Sequence, residues 1–284
     1  MRESEYELFE NERIGGIRSY HSLLPPQKRT YNAHHHTQCE ISVFLSGSGT
    51  YTVGQKQYRF TEGDIFLFGG NEEHCITDIT TEIDLLNIQF EPYLLWERAE
   101  TAEILALFNT RDAAFENKIE DNGGVLKTLL LKIEEELCQK QLCYPVIVRY
   151  SLFSALTLIA RNHVGIDPAK TVKLSDTTAR GLRLTIDHIQ QNLSARLELK
   201  DLASIACLSP NYFSYVFKKY NGISLWEYIT IKRVEKAIEL LKTTSLTKLA
   251  ISERCGFSRS SNFYKCFLYV TGKHPSDFTK KRFS

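Results

Sequence analysis

From residue 1 to about 91 the chain alternates apolar and polar positions in short runs: Ile14–Leu23, Glu40–Leu45, Thr50–Val53, Gln57–Phe60, Asp64–Phe68, His74–Thr77 and Asp84–Phe90. A period of two puts one side of each run in a core and predicts β-strands. Gly47-Ser48-Gly49, Gly54-Gln55, Glu62-Gly63-Asp64 and Gly69-Gly70-Asn71 punctuate them as turns. Short strands at such intervals predict a barrel or jelly roll. Past Pro92 the period changes. Glu91 to Asn122 predicts a helical crossover that ends at Gly123-Gly124. Leu126, Leu129, Leu130, Ile133 and Leu137, then Val148, Leu152, Ala155, Leu156 and Ile159, recur at helical spacing. They predict a hairpin of two helices, Val125–Gln139 and Val146–His163, separated by Tyr144-Pro145. Such a hairpin has more apolar surface than one barrel covers, which favours a second copy as partner. The expected organisation is α+β in two domains: 1–165, helical from about 92; a polar linker, 166–178; and an all-α domain, 179–284, whose first helix is Ala179–Asn192.

The last stretch repeats one plan twice. Leu199–Ala206, a turn at Cys207-Leu208 and a helix from Ser209 are followed by Leu246–Cys255, a turn at Gly256-Phe257 and a helix from Ser258. The plan is a tandem helix-turn-helix. Ala203 and Ala250 are the small residues expected where paired helices cross, and Gly256 accommodates positive φ in the second turn. Ser209 and Ser258 are expected N-caps, with Pro210 at the first helical position. Phe213, Val216 and Phe217, and Phe263, Cys266 and Phe267, mark the core faces. The opposite faces carry Asn211, Ser214, Tyr215, Lys218 and Lys219, then Arg259, Ser260, Ser261, Asn262 and Lys265, with Tyr264 beside them. A polar helix face is ordinarily just solvated; two copies with matching layout point to double-stranded DNA. Asn211, Arg259, Asn262 and Lys265 suit base edges. Lys218, Lys219, Lys273 and Lys280-Lys281-Arg282 suit phosphates.

Leu202-Ala203, Ser209-Pro210, Phe217-Lys218 and Gly222, then Ala250, Gly256-Phe257-Ser258, Phe263, Phe267, Gly272, Pro275 and Phe278, resemble the AraC/XylS family of bacterial transcription regulators. Arg233, Ala237 and Leu240-Leu241 on the joining helix, Trp226–Leu241, fall at the family spacing. The resemblance covers roughly the last hundred residues. It implies a non-enzymatic regulator that binds DNA as a homodimer and answers to a small-molecule effector such as a sugar, with RNA polymerase a further candidate partner. Leu268 and Tyr269 stand where the family usually has Lys or Arg, and Tyr215 where it often has Arg, so phosphate contacts or preferred bases should differ.

Net charge supports the division. Residues 173–284 hold 19 Lys and Arg against 9 Asp and Glu, a net of +10, and residues 1–172 hold 16 against 25, a net of −9. A basic half joined to an acidic half suits a DNA-binding domain with a separate sensor. Seven cysteines lack paired metal spacing, and Cys207, Cys255 and Cys266 fall at expected core positions, as for free thiols in a reducing cytoplasm. No apolar run has the length of a membrane span or signal peptide, so a soluble cytoplasmic protein is expected.

One constellation lies in the β part. His34 and His36 share a strand face, Glu40 keeps that parity, and His74 follows. His34, His36, Glu40 and Gly47 resemble the first cupin motif; Gly63 with His74 resembles the second, where Gly69 and Asn71 replace that motif's Pro and second Gly. Three readings stand together: a pocket for an organic effector, a divalent metal (Zn, Fe, Ni or Mn) on the four side chains, and histidines that are only hydrogen-bonded in the interior. A cupin enzyme, or a metal or redox sensor using Cys39 and Cys75, is the alternative to an effector-responsive regulator.

Overall fold

The computed structural model describes residues 5–6, 16–26, 33–96, 101–109, 111, 114–163, 165 and 175–278. The chain forms two compact units, one centred on residues 11–174 and the other on residues 175–284. The strands are β1 (Glu5–Tyr6), β2 (Ile17–Leu24), β3 (His34–His35), β4 (Cys39–Val53), β5 (Lys56–Phe60), β6 (Ile65–Phe68), β7 (His74–Phe90) and β8 (Lys118–Ile119). β4 and β7 pair antiparallel along their whole lengths. β2 and β3 lie on the other edge of β7, β5 and β6 on the other edge of β4, and β8 on β6.

Two long strands replace four expected short ones. Glu40–Leu45 and Thr50–Val53 merge into β4, and His74–Thr77 and Asp84–Phe90 merge into β7. The glycines at 47 and 49 do not end β4 but bend it: the register against β7 shifts between Phe44 and Tyr51, and Gly47 takes φ +96°, the mark of a bulge. The sheet curls over a core of Phe44, Tyr51, Phe60, Phe66, Phe68, Ile76, Ile79, Ile83 and Leu85. Further along the same side, Glu40, Ser42, Asn87 and Gln89 replace the apolar residues, so the interior is greasy at one end and polar at the other. This is the expected cupin-like architecture.

The crossover is not one helix. It contains α1 (Tyr93–Trp96), a 3-10 turn (Ala102–Leu105), α2 (Ala106–Asn109) and the strand β8. The hairpin follows as α3 (Val125–Gln139) and α4 (Tyr144–Asn162). Pro145 occupies the first turn of α4 instead of separating the helices, because an N-terminal turn has no use for that N–H. Leu126, Leu130 and Ile133 of α3, and Val148, Leu152, Ala155, Leu156 and Ile159 of α4, are buried. Leu142, Val146, Ile147 and Tyr150 remain exposed.

His21 ties β2 to the hairpin. Its Nδ1 is 2.6 Å from Asp84 Oδ1 on β7, and its Nε2 meets Glu134 on α3. Burial alone would lower this imidazole, but the two carboxylates raise it above its ordinary value. A raised folded value means the stabilisation is complete below about 6.5, the unfolded value, and disappears as pH climbs through the folded one. Urea unfolding should therefore show wild type more stable than His21→Gln at mildly acidic pH, with the difference shrinking as pH rises through the folded value. A pH-independent difference would show that the charge plays no part.

The C-terminal unit contains α5 (Asp176–Gln191), α6 (Leu199–Ile205), α7 (Pro210–Asn221), α8 (Leu225–Thr243), α9 (Lys248–Arg254) and α10 (Ser260–Thr271), then a 3-10 turn, Pro275–Phe278. α5 starts inside the expected linker, capped by Ser175; residues 166–174 of that linker lie outside the described residues. Ser209, Ser224 and Thr247 cap α7, α8 and α9 through their side-chain oxygens, each contribution being about 1 kcal/mol. Phe213, Phe217, Phe263 and Phe267 have no exposed surface.

Two details of the second helix-turn-helix differ from expectation. Ser258 is not a cap: α10 begins two residues later, after Arg259, whose carbonyl takes the first helical bonds from Asn262 and Phe263. The small residue at the crossing is Ser252, not Ala250. Phe257 N bonds Ser252 O at 3.1 Å as Leu208 N bonds Ala203 O at 2.9 Å, and Ser252 and Ala203 are buried while Ala250 is half-buried. All seven cysteines are free, but of the three expected in the core only Cys255 is buried; Cys207 is exposed in its turn and Cys266 is intermediate.

Candidate functional site

The polar end of the barrel gathers the expected set. His34 pairs with His74 across β3 and β7. One ring nitrogen each of His34, His36 and His74 lies within 4.8 Å of the others. The strand breaks after His35, yet Glu40 still reaches them: its Oε2 is 2.9 Å from His36 Nε2 and its Oε1 3.9 Å from His74 Nε2. His36, Glu40 and His74 are almost wholly buried.

The backbone fixes the rings. His36 Nδ1 is 2.9 Å from Gln38 O and His74 Nδ1 2.8 Å from Glu72 O. A carbonyl only accepts, so both Nδ1 atoms donate, and each Nε2 is turned inward. Phe68 stacks on the His74 ring at 4.2 Å. Burial, then the neighbouring His34, lowers His74 to about 3, so it is neutral at ordinary pH. Its Nε2 is then a bare lone pair, buried and without a hydrogen-bond partner among the described residues. Burial would raise Glu40, but the hydrogen bond and electrostatic attraction of His36, with the Ser42 hydroxyl, bring it below the usual carboxylate range. A carboxylate and a lone pair thus converge with too few protons between them. That donor set fits a cation, and the carbonyl-anchored rings match the outer contacts that orient metal-binding histidines.

Sequence reasoning missed the residues behind this set. Ser42 Oγ donates to Glu40 Oε1 at 2.6 Å. Gln89 accepts from Arg18 Nε at 3.0 Å, which turns its amide nitrogen toward Glu40 Oε2 and His36 Nε2. Tyr20 OH is 3.1 Å from the same nitrogen. Their only signal was polar residues at alternate positions of β2, β4 and β7. Cys39 is fully buried and pushed up to about 12 by burial, so it carries no reactive thiolate; Cys75 is raised by the same cause.

In the second unit, Asn211, Tyr215, Lys218, Arg259, Ser261, Asn262, Tyr264 and Lys265 are exposed, and Ser214, Lys219 and Ser260 half-buried. They lie on α7 and at the start and along α10, opposite the buried phenylalanines. Lys219 Nζ donates to Tyr215 OH at 3.3 Å. Arg233 of α8 donates to Leu193 O and Ala195 O, both at 2.9 Å, fixing the segment before α6. Lys280-Lys281-Arg282 lie outside the described residues. Among the described residues, no helix is long and apolar enough to cross a membrane.

Comparison with known proteins gives two domain matches: an AraC-like ligand binding domain over residues 19–137 and a helix-turn-helix domain over residues 202–281. The chain is similar to the HTH-type transcriptional regulator YfiF of Bacillus subtilis, 29% identical over 250 residues, or 86% of this chain and 77% of that protein. The melibiose operon regulatory protein of Escherichia coli is 25% identical over 265 residues, or 87% and 83%. Of solved structures, ToxT of Vibrio cholerae with bound unsaturated fatty acid matches at TM-score 0.56 and 12% identity, covering 95% of this chain and 96% of that one. That likeness is one of fold.

Proposed function

Because the chain belongs to the AraC/XylS family of DNA-binding transcription regulators, with a ligand-binding domain ahead of its helix-turn-helix domain, we propose that α7 and α10 read a two-box operator and that an effector held at His34, His36, Glu40 and His74 controls the affinity. The observation that carries the sensing half is the His74 Nε2 lone pair, buried, unpartnered and facing an ionised carboxylate. An interior of this kind is built to be completed by something else.

The lining suggests what completes it. Arg18, Tyr20, Ser42, Asn87 and Gln89 offer hydroxyls, amides and a guanidinium beside the histidines. Those groups match a polyhydroxylated effector such as a sugar. The donor set also favours a second reading, in which His34, His36, His74 and Glu40 hold a divalent cation. Such an ion would neutralise Glu40 and offer an open position to an effector oxygen. The exposed apolar side chains of the hairpin, with Tyr150 at 66% and Leu142 at 93% exposure, support a homodimer through α3 and α4.

The test is operator affinity of the full chain with and without a panel of sugars and of Zn2+, Ni2+ and Mn2+. One compound should change wild-type affinity by about 5–150-fold, and His36→Ala and His74→Ala should each abolish the change. If both variants respond like wild type, the sensing site is elsewhere.

A further inference from the structure

His74 is held by more than its own strand. Its Nδ1 bonds the Glu72 carbonyl, and the Glu72 carboxylate is a hub: it accepts from Gly69 N at 2.7 Å, Arg111 Nη1 at 2.6 Å and Asn117 Nδ2 at 2.8 Å. Asn117 is locked in turn to Leu67 of β6: its side-chain N–H2 donates to Leu67 O and its backbone carbonyl accepts from Leu67 N, both at 2.9 Å. The turn that presents His74 is therefore rigid on its barrel side. On the other side it rests on a single cation. Arg111 Nη1–Glu72 Oε2 is the one ion pair of Glu72 among the described residues.

Arg111 continues outward. Its Nε donates to Leu107 O of α2, and its guanidinium carbon lies 3.9 Å from the Phe115 ring centroid. The Phe115 ring meets His163 edge-on at 4.6 Å. His163 is the C-cap of α4, where the chain turns toward the linker. Gly165 packs on the Phe115 backbone so closely that a Cβ there would lie 2.3 Å from Phe115 N.

We infer that Glu72 and Arg111 are positioning residues for the barrel site and that, through Phe115, they carry the state of His74 to His163 at the end of α4. The inference rests on the reading of the barrel as the sensing site. Its physical basis is that each member is packed or bonded on both sides. A displaced Glu72 carbonyl cannot be absorbed within the turn, because its carboxylate is held at three points. Close-packed contacts of this kind pass a displacement on instead of damping it. Glu72 and Arg111 touch neither the lone pair nor Glu40, so they act on the site only through His74.

A purely structural clamp would affect stability alone. The distinguishing readout is the ring signals of His163 in 15N-histidine-labelled full-length protein, followed by NMR. His74→Ala should shift the His163 signals and leave His188 and His274 of the other unit in place. In an Arg111→Gln background the same His74→Ala should leave His163 unmoved. Arg111→Lys, which keeps the charge for Glu72 but cannot both bond Leu107 and cover Phe115, should preserve the His74 signals and still break the response at His163. It stands in for Arg111→Gln should that variant fold poorly. The link is wrong if His163 ignores His74→Ala in the wild-type background, or responds equally with Arg111 replaced. A link that holds while no compound alters operator affinity would instead count against the barrel as sensor.

Discussion

Gly256→Val is expected to abolish operator binding and to unfold the second helix-turn-helix, leaving the barrel unit folded. Gly256 makes the turn between α9 and α10 at φ +83°, a region that a β-branched residue enters only at a cost of about 1–3 kcal/mol. Space is a second obstacle. A Cβ there would lie 2.3 Å from Leu193 O and 3.0 Å from the Arg233 guanidinium. Leu193 O is backbone and is already held by Arg233 Nε at 2.9 Å, so neither neighbour can retreat without breaking that bond. The first unit makes the equivalent turn with Cys207 at φ +56°, in an exposed position. Cys207→Gly should thus be neutral or slightly stabilising, because glycine relieves the left-handed strain. The comparison is made by thermal unfolding followed at Trp226 of α8 together with DNA binding. A Gly256→Val protein that binds its operator normally would mean that the turn does not set the pose of α10.

Asn262→Ala is expected to relax sequence preference at one position of the operator, with a loss of about 1–3 kcal/mol against the preferred base, or roughly 5–150-fold. Asn262 is exposed near the start of α10, and the next residue, Phe263, is fully buried. The backbone at this point is consequently fixed while the amide projects outward, as a base-reading side chain requires. An asparagine amide pairs with adenine through one donor and one acceptor, so removing it should hurt adenine more than the other bases. Arg259→Ala should act similarly on a guanine. Lys218→Ala, on a helix face suited to phosphates, should lower affinity for all sequences about equally and flatten the salt dependence. Binding competitions with single-base operator variants separate the two behaviours. A uniform loss from Asn262→Ala would reassign it to the backbone.

Much of this was legible from the chain. The phenylalanine pairs, the cap at Ser209 and the histidine spacing follow from local rules. A helical period or a strand alternation places each of these residues without knowledge of its neighbours. The failures have one kind of cause. Six positions separate Phe257 from Phe263, but five separate Leu208 from Phe213. The extra residue moves the start of α10 past Ser258. The crossing residue is set by the turn, which makes Ser252 the counterpart of Ala203, a correspondence invisible when alanine is matched to alanine. Gly47 and Gly49 read as a strand end because glycine usually weakens strands, whereas pairing with β7 on one edge carries β4 straight through them. Gln89 and Arg18 could not be found from spacing at all. Their role exists only because β2 and β7 align Arg18 with Gln89 and β4 aligns Glu40 with Gln89, pairings between residues far apart in the chain.

The most direct measurement is selection of bound sequences from random duplex DNA by the purified full-length protein. Two helix-turn-helix units joined by the single helix α8 should enrich a motif of two boxes about one helical turn, or 34 Å, apart on one face of the duplex. Alanine at Asn262 should degrade one box and alanine at Asn211 the other. Enrichment of no motif, or of one box indifferent to both substitutions, would contradict the account of this chain as a regulator that reads DNA through α7 and α10.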